Sequence, residues 1–388
     1  MIKLNSIKGE NILCWCGDPE QGAIDQAMNI AKHPCLIGNV CLMPDTHQGY
    51  GMPIGGVAAL RDAICPNMVG VDIGCGMLAV KTNIRADELP RELLQEIVDK
   101  IKASVPVGFK WHTEPNKTHV VFSNNWDLPV CGQERERAEL QIGTLGGGNH
   151  FIEIQRGDDG FVYFMIHSGS RNLGKQVADH YNKEAIRLCA MFHNDDVITN
   201  ELAYLPIGTK EAENYIKEMN LCLKFSNANR DCMACVIEKC ILDVLPNAEF
   251  EERINIQHNY ARMEHHYGRD VWVHRKGATS ARYGEIGLIP GSQGTSSYIV
   301  RGLGNEASMM SCSHGAGRKI SRKKARESLS VESECALLNK QGIIHSIKTQ
   351  DDLDEAPSAY KNIDVVMQEQ SDLVEILVKL SPMAVIKG

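Results

Sequence analysis

Gly143-Thr-Leu-Gly-Gly-Gly-Asn-His150 is the stretch on which the fold class turns. In a dinucleotide fold, a glycine run of the GxGxxG kind closes a strand and opens a helix inside a βαβ unit. This run lacks that frame, and no strand–GxGxxG–helix unit occurs elsewhere. No glycine run ends in Gly-Lys-Ser/Thr, so there is no P-loop. A doubly wound nucleotide fold is therefore disfavoured, and any nucleotide is bound by other means. The expected fold is α+β, a single intertwined domain of mixed sheets and helices over 1–388.

Two further runs resemble this one in chemistry. Gly70-Val-Asp-Ile-Gly-Cys-Gly76 sets Asp72 and Cys75 between glycines, and Ser311-Cys-Ser-His-Gly-Ala-Gly-Arg318 sets His314 among small residues. Small residues let a backbone approach a ligand and offer N–H groups to phosphate. Asp, Cys and His are side chains that hold transition metals. Together the three runs point to an enzyme that handles phosphate with metal help.

The surrounding pattern alternates between helical and extended. Pro19 to about Lys32 is expected to be a helix, with Asp18 as its cap. Residues 36–43, 54–60 and 76–82 read as strands. Ala86 to Ala103 carries Leu89, Leu93, Leu94, Ile97 and Ile101 at helical spacing. Phe161 to Ile166 is an apolar strand that delivers His167, and Leu173 to His193 reads as helix. Thr209 to Leu245 is the longest helical stretch, with a break expected near Asn227 and Asn229. Residues 271–310 suggest strands and tight turns. Asn362 to Leu380 reads as an amphipathic helix, and Met383 onward as a strand.

The chain has 388 residues, an apolar fraction of 43% and a net charge of -8. The charge argues against non-specific coating of nucleic acid, which rests on Lys and Arg. A local basic cluster exists nonetheless: Lys319, Arg322, Lys323, Lys324 and Arg326. It reads equally as a solvated helix face or as a nucleic-acid track. The first residues, Met1-Ile-Lys-Leu-Asn-Ser6, lack the apolar core of a signal peptide. No run of about 18 apolar residues predicts a membrane span. The 14 cysteines lack framework spacing and read as reduced thiols of a cytoplasmic protein. Cys232-Met-Ala-Cys235 with Cys240 has no second pair nearby, so buried helical thiols are expected there rather than zinc.

The candidate metal ligands are Asp72, Cys75, His150, His167 and His258. A lone histidine is more often a core or surface residue than a ligand. Three of these stand in chemically loaded contexts: Asn149-His150, His167-Ser-Gly-Ser-Arg171 and His258-Asn259. A thiolate, a carboxylate and imidazoles suit Zn, Fe, Co or Mn, and the oxygen ligand draws the preference toward Mn.

At this point the sequence resembles the RtcB-type RNA ligases. The matching segments are Met43-Pro-Asp-Thr-His-Gln-Gly-Tyr-Gly-Met-Pro-Ile-Gly-Gly56, Gly70-Val-Asp-Ile-Gly-Cys-Gly-Met77, Gly146-Gly-Gly-Asn-His-Phe-Ile-Glu153, His167-Ser-Gly-Ser-Arg171, His258-Asn-Tyr260, Arg275-Lys-Gly-Ala278, Ile289-Pro-Gly-Ser-Gln-Gly-Thr295, Ser313-His-Gly-Ala-Gly-Arg318 and the final Lys387-Gly388. They run in family order over nearly the whole chain. Asn172 and Thr46 depart from the commoner pattern of glycine and valine, and neither removes a chemical group.

The resemblance implies a GTP- and Mn²⁺-dependent ligase with an RtcB-like fold. It would join an RNA 3′-phosphate or 2′,3′-cyclic phosphate end to a 5′-hydroxyl end, in RNA repair or tRNA splicing. It implies that His314 is guanylylated and that Asp45 orients it. Two Mn²⁺ ions would share Cys75, with Asp72 and His150 completing one site and His167 and His258 the other. For GTP it implies Glu153 and Lys387 at the guanine edge and Tyr360 against the base. Asn149, Asn259, Ser292, Gln293 and Ser297 would line ribose and phosphates. Pro290 and Gly291 would shape the loop, and Gly315, Ala316 and Gly317 would make room beside the nucleophile. Arg171 and Arg318 are the implied phosphate or RNA-end clamps. The partners implied are RNA ends and an accessory activator protein, with no membrane. Two other readings stay open: a metal phosphoesterase or end-capping relative, and a non-catalytic RNA-end-binding repair factor.

Overall fold

The computed structural model describes residues 2–5 and 11–387. Met1, Ser6 and Gly388, which belong to stretches quoted above, lie outside the described residues. Two large sheets carry the architecture. One has six strands in the order Ile2–Asn5, Asn11–Cys14, Leu36–Tyr50, Met52–Leu60, Arg269–Lys276 and Asn259–His266. The other has seven, in the order Ile254–Gln257, Gly76–Arg85, Phe161–Ser168, Phe151–Gly157, Val374–Lys387, Ser297–Gly302 and Ile286–Ile289. Both sheets are antiparallel except where Asn11–Cys14 runs parallel to Leu36–Tyr50. Each sheet draws strands from distant parts of the chain, so the fold is mixed α+β, as expected, with neither a Rossmann unit nor a P-loop.

Helices cover the sheets. Arg91–Ser104 packs Leu94, Ile97, Val98 and Ile101 into the core beneath the seven-stranded sheet. It begins after Pro90 rather than at Ala86, because proline fits the extended position that precedes a first turn. Gln21–Ala31 starts similarly late, after Glu20, and Asp18 does not cap it. Asn172–Met191 and Lys210–Leu242 pack together in the largest apolar cluster.

Two further expectations are corrected. The helix Lys210–Leu242 is unbroken at Asn227 and Asn229. The amides of these residues do not compete with the helix backbone because they are engaged elsewhere. Asn229 Oδ1 accepts from Gly143 N at 2.7 Å and Thr144 N at 3.1 Å. Asn227 Oδ1 accepts from Arg230 and Gln257. The stretch 362–380 is not one helix either. A short helix, Ile363–Glu369, gives way to the strand Val374–Lys387. Ile363, Val366, Met367 and Leu373 mimic helical spacing, but Val374, Ile376 and Val378 are β-branched. Pairing on both sides, with Ser297–Gly302 and Phe151–Gly157, decides the outcome.

Among the described residues no helix is long and apolar enough to cross a membrane. All 14 cysteines are free thiols. Cys232, Cys235 and Cys240 lie within the helix Lys210–Leu242, as their spacing suggested, but only Cys240 is buried: Cys232 is half-buried and Cys235 is exposed.

Candidate active site

Sheet register gathers the candidate metal ligands. Gly76 pairs with both Gln257 and Ser168, and Phe151 pairs with both His167 and Lys387. Cys75, His150 and His258 flank paired strand ends, so all of them converge with His167 at one end of the seven-stranded sheet. Asp72 reaches the cluster through a turn closed by Cys75 N donating to Asp72 O at 3.0 Å. That turn needs the positive φ of Gly74, at 76°.

Two triads result: Cys75 with His167 and His258, and Asp72 with Cys75 and His150, each with donor atoms within 4.8 Å of one another. Cys75 is common to both. His150 Nε2 stands 3.0 Å from Asp72 Oδ2 and 3.5 Å from Cys75 Sγ. His167 Nδ1 lies 3.0 Å from the Asn149 carbonyl, which can only accept, so the ring proton is there. Its Nε2 lone pair then faces Cys75 Sγ at 3.2 Å and His258 Nε2 at 3.4 Å. Burial pushes the His167 and His258 rings well below the ordinary imidazole range, so they are neutral. Bare nitrogens facing a sulfur are the donor arrangement a cation requires. Burial and the Asp72 carboxylate push the Cys75 thiol well up, and a bound cation would reverse this by taking the thiolate. Burial opposes the Asp72 carboxylate too, yet His150, Cys75 and Arg171 hold it below the usual range. The residues present therefore fit a two-ion site.

His314 approaches from the other side. It follows the strand Ser311–Ser313, whose Ser313 pairs with Ala278, and Ala278 N donates to the His258 carbonyl at 3.2 Å. The His258 and His314 ring centroids lie 4.8 Å apart. His314 Nδ1 contacts Asp45 Oδ2 at 2.6 Å. A carboxylate only accepts, so Nδ1 carries a proton, and in the neutral ring Nε2 is then the nitrogen with the lone pair. The same Asp45 oxygen accepts from the backbone N of His314 at 3.1 Å and of Gly315 at 3.3 Å. Gly317 adopts a φ of 72°, and a Cβ there would fall 2.2 Å from the Asp45 carbonyl oxygen, so only glycine fits.

A cavity of about 850 Å³ opens beside His314. Asn149, Glu153, His167, Pro290, Gly291, Ser292, Gln293, Gly315, Ala316, Gly317, Arg318, Tyr360 and Lys387 all line it. Glu153 and Lys387 share one sheet face, because Glu153 pairs with Val385 and Phe151 with Lys387. Burial raises the Glu153 carboxyl to about 8, although Gln155 and Lys387 work against the rise. Gln155 Nε2 donates to Glu153 Oε2 at 2.7 Å.

Several expected residues stand behind the wall. Ser297 Oγ accepts from Gln155 Nε2 at 3.0 Å and Gly291 N at 3.2 Å, and so braces the loop. Asn259 ties Asp72 O at 3.0 Å to Gly277 N at 2.7 Å. Arg171 donates to Thr144 Oγ1 at 3.0 Å and Gly108 O at 2.9 Å. Its φ is 59°, in a region that few non-glycine residues enter. Arg318 lines the cavity but is bound: Nη1 to Glu355 Oε2 at 2.9 Å, Nη2 to Asp354 O at 2.6 Å, Nε to Ile320 O at 3.1 Å.

Glu355 is the residue that sequence reasoning missed. Its buried carboxylate receives Arg318, Arg322 (Nε to Oε1, 2.6 Å) and the Tyr360 hydroxyl. Lys387 is the largest influence holding it below the ordinary range against burial. One negative charge thus gathers three cations at the cavity wall. Nothing distinguishes Glu355 in the acidic run Asp351-Asp-Leu-Asp-Glu355. All four basic residues Arg322, Lys323, Lys324 and Arg326 are exposed at the rim, and of them Arg322 reaches Glu355 with its guanidinium. Arg230 was also missed. Fully buried, it donates to Gly74 O at 3.1 Å and Ser168 O at 2.8 Å, behind the metal cluster.

Comparison with known proteins bears on this arrangement. Residues 26–128 and 127–388 match the family described as tRNA-splicing ligase RtcB. The RNA-splicing ligase RtcB of Escherichia coli (strain K12) is 37% identical over 95% of this chain and 95% of its own length. The tRNA-splicing ligase RtcB of Nanoarchaeum equitans is 33% identical, covering 95% of this chain and 92% of its own. RNA-splicing ligase RtcB homolog 1 of Entamoeba histolytica is 31% identical, covering 94% and 83%.

Proposed function

The chain belongs to the RtcB family of RNA ligases, and from that premise we propose that it seals RNA 3′-phosphate or 2′,3′-cyclic phosphate ends to 5′-hydroxyl ends through a guanylylated His314. The observation that carries the reading is the 2.6 Å contact between Asp45 Oδ2 and His314 Nδ1, made beside two donor triads that share Cys75. It leaves a nucleophilic Nε2 next to a place for two cations.

His314 Nε2 attacks the α-phosphorus of GTP, and pyrophosphate leaves. Asp45 holds the Nδ1 proton and balances the positive charge that develops on the ring. An oxygen of the RNA 3′-phosphate then attacks the phosphorus of the His314–GMP adduct, which frees His314 and leaves RNA capped as RNA–ppG. The 5′-hydroxyl attacks the RNA phosphorus of that anhydride, a phosphodiester forms, GMP leaves and the hydroxyl proton passes to solvent. A cyclic phosphate is first opened by water. Asp72, Cys75, His150, His167 and His258 would hold two Mn²⁺ ions, which when bound supply charge neutralisation for phosphate oxygens.

Glu153 reads the N1–H and N2 amino group of guanine, Lys387 stands beside it, and Tyr360 lies along the base. Asn149, Ser292 and Gln293 face ribose and phosphates, with Asn259 and Ser297 bracing the loops that do so. Pro290 and Gly291 shape one wall, and Gly315, Ala316 and Gly317 leave room for the GMP phosphate. Arg318, at the cavity wall, is assigned to RNA ends and phosphates, and Arg171, behind it, to bracing the loops beside them. The interleaving of the two sheets along the chain, one built from 2–60 and 259–276 and the other from segments between 76 and 387, supports 1–388 as one catalytic domain. Unpaired cysteines support a reducing, cytoplasmic setting.

A phosphoesterase would need the metal donors alone and would leave His314 unlabelled. The test is incubation with α-radiolabelled GTP and Mn²⁺. Acid-labile, base-stable label on the protein, absent from His314→Ala, is expected; label persisting on that variant would overturn the assignment.

A further inference from the structure

The loop 106–119 joins the helix Arg91–Ser104 to the single turn Val120–Ser123 and is pinned along its length. Leu145 N donates to Pro106 O at 3.0 Å, Gly108 N to Gly146 O at 3.0 Å, His112 N to Leu140 O at 3.1 Å and Asn116 N to Glu139 O at 2.9 Å. Arg171 Nη2 donates to Gly108 O at 2.9 Å. Two of these anchors, Leu145 and Gly146, belong to the glycine loop that presents His150, while Glu139 and Leu140 lie at the end of the helix Cys131–Gln141. A Cβ on Gly146 would fall 2.0 Å from Arg171 Nη1 and 2.6 Å from His150 Nδ1. The loop is therefore one hydrogen bond removed from the Asp72–His150 end of the site.

Phe109 projects fully from this loop, with a relative exposure of 102%, the highest of any large apolar side chain among the described residues. Trp111, two residues on, is 40% exposed. Burying a phenylalanine is stabilising, so leaving one in water on a fixed loop forgoes that stabilisation. Exposed Lys110 stands between the two rings, and Lys117 follows. Glu114 is the one acidic residue in 106–119, so the surface is aromatic and mildly basic. Bases of single strands stack on such aromatic faces regardless of sequence, and nearby cations meet the phosphates.

We propose that Phe109 and Trp111 form a stacking platform for unpaired bases of the single-stranded RNA whose end enters past the Asp72–His150 side, with Lys110 on its backbone. This rests on the RNA-sealing reading. The platform is sequence-tolerant, as repair of broken strands requires, and its pinned backbone limits the ordering cost of binding.

The test uses the full-length protein with Mn²⁺ and short single-stranded RNAs, one ending in 3′-phosphate and one beginning with 5′-hydroxyl. Binding is followed by fluorescence anisotropy. Phe109→Ala/Trp111→Ala is expected to weaken at least one of them by about tenfold or more. Phe109→Tyr/Trp111→Phe, which keeps two π-faces, is expected to restore the affinity. Abasic sites at the terminal nucleotides should weaken wild type and leave the double-alanine variant unaffected, a non-additivity that a merely structural role would not produce. Self-labelling with GMP needs no RNA and serves as the separate check on the sealing chemistry. Unchanged affinity for both RNAs in the double-alanine variant overturns the platform. So does an equal abasic penalty in both proteins, or an effect confined to self-association of the chain. If wild type labels with GMP yet binds neither RNA, the sealing reading itself fails.

Discussion

Replacing Asp45 by asparagine isolates the charge behind His314 from its geometry. Asp45 is fully buried, and one oxygen, Oδ2, accepts from His314 Nδ1, His314 N and Gly315 N at 2.6, 3.1 and 3.3 Å. Three donors converge on that position, so the amide oxygen of an asparagine must occupy it. The amide nitrogen goes to the Oδ1 side, where no hydrogen-bond partner exists. The Nδ1 tautomer therefore survives, and Nε2 stays nucleophilic. What is lost is the negative charge facing the ring as it becomes positive on attacking phosphorus. Opposite charges about 4 Å apart attract by about 4 kcal/mol at an effective dielectric of about 20. At about 1.4 kcal/mol per decade, Asp45→Asn should slow guanylylation by about a thousandfold. The two unsatisfied amide hydrogens should cost about 1–3 kcal/mol of stability, leaving the protein folded. Rapid-quench labelling with α-radiolabelled GTP at saturation, with metal content and melting measured in parallel, gives the number. A folded, metal-loaded Asp45→Asn protein labelling within about threefold of wild type would refute the electrostatic role.

Cys75→Ala should lose both ions rather than one, because both triads share that sulfur; metal analysis after Mn²⁺ loading showing two tight sites would count against it. Glu153, raised to about 8 by burial, holds a proton at neutral pH and must release it to accept from guanine, so GTP binding near pH 7 should expel a proton. Calorimetry in buffers of differing ionisation enthalpy reads this, and the release should vanish in Glu153→Gln; the native carboxyl's raised value also means its contribution to stability falls as pH climbs from the ordinary range near 4.5 to about 8. The buried pair of Arg275 and Glu264, 2.5 Å apart, should make Arg275→Met cost about 3–5 kcal/mol in a urea melt at pH 7, through the unpaired charge left behind. Burial opposes the Glu264 carboxylate, but Arg275, His266 and Arg282 hold it at about 2, so the stability it contributes is full above the ordinary range and is lost as pH falls from about 4.5 toward 2.

Local chemistry made the donors legible. Asp72, Cys75, His150, His167 and His258 each stand in a short motif, and the family likeness alone paired them into triads with a common sulfur. Residues whose role depends on distant pairing were not legible. Glu355 gathers Arg318, Arg322 and Tyr360 only because residues 318–322 fold against residues 354–360. Arg230 reads as one more helix residue, yet it bonds the turn that carries Cys75. The end of the C-terminal strand, from Met383, was legible, but its first half, residues 374–380, was hidden because Ile363, Val366 and Leu373 keep a helical rhythm into a segment that sheet pairing then claims. That strand delivers Lys387 opposite Phe151, beside Glu153.

Sealing of RNA ends with GTP is read in a single assay, in which one radiolabelled RNA strand ending in 3′-phosphate and one beginning with 5′-hydroxyl are incubated with the protein and Mn²⁺. The expected result is a joined strand with GTP, none with ATP or without nucleotide, and none from His314→Ala. Joining that proceeds equally without GTP, or loss of the 3′-phosphate with no joining at all, would contradict it.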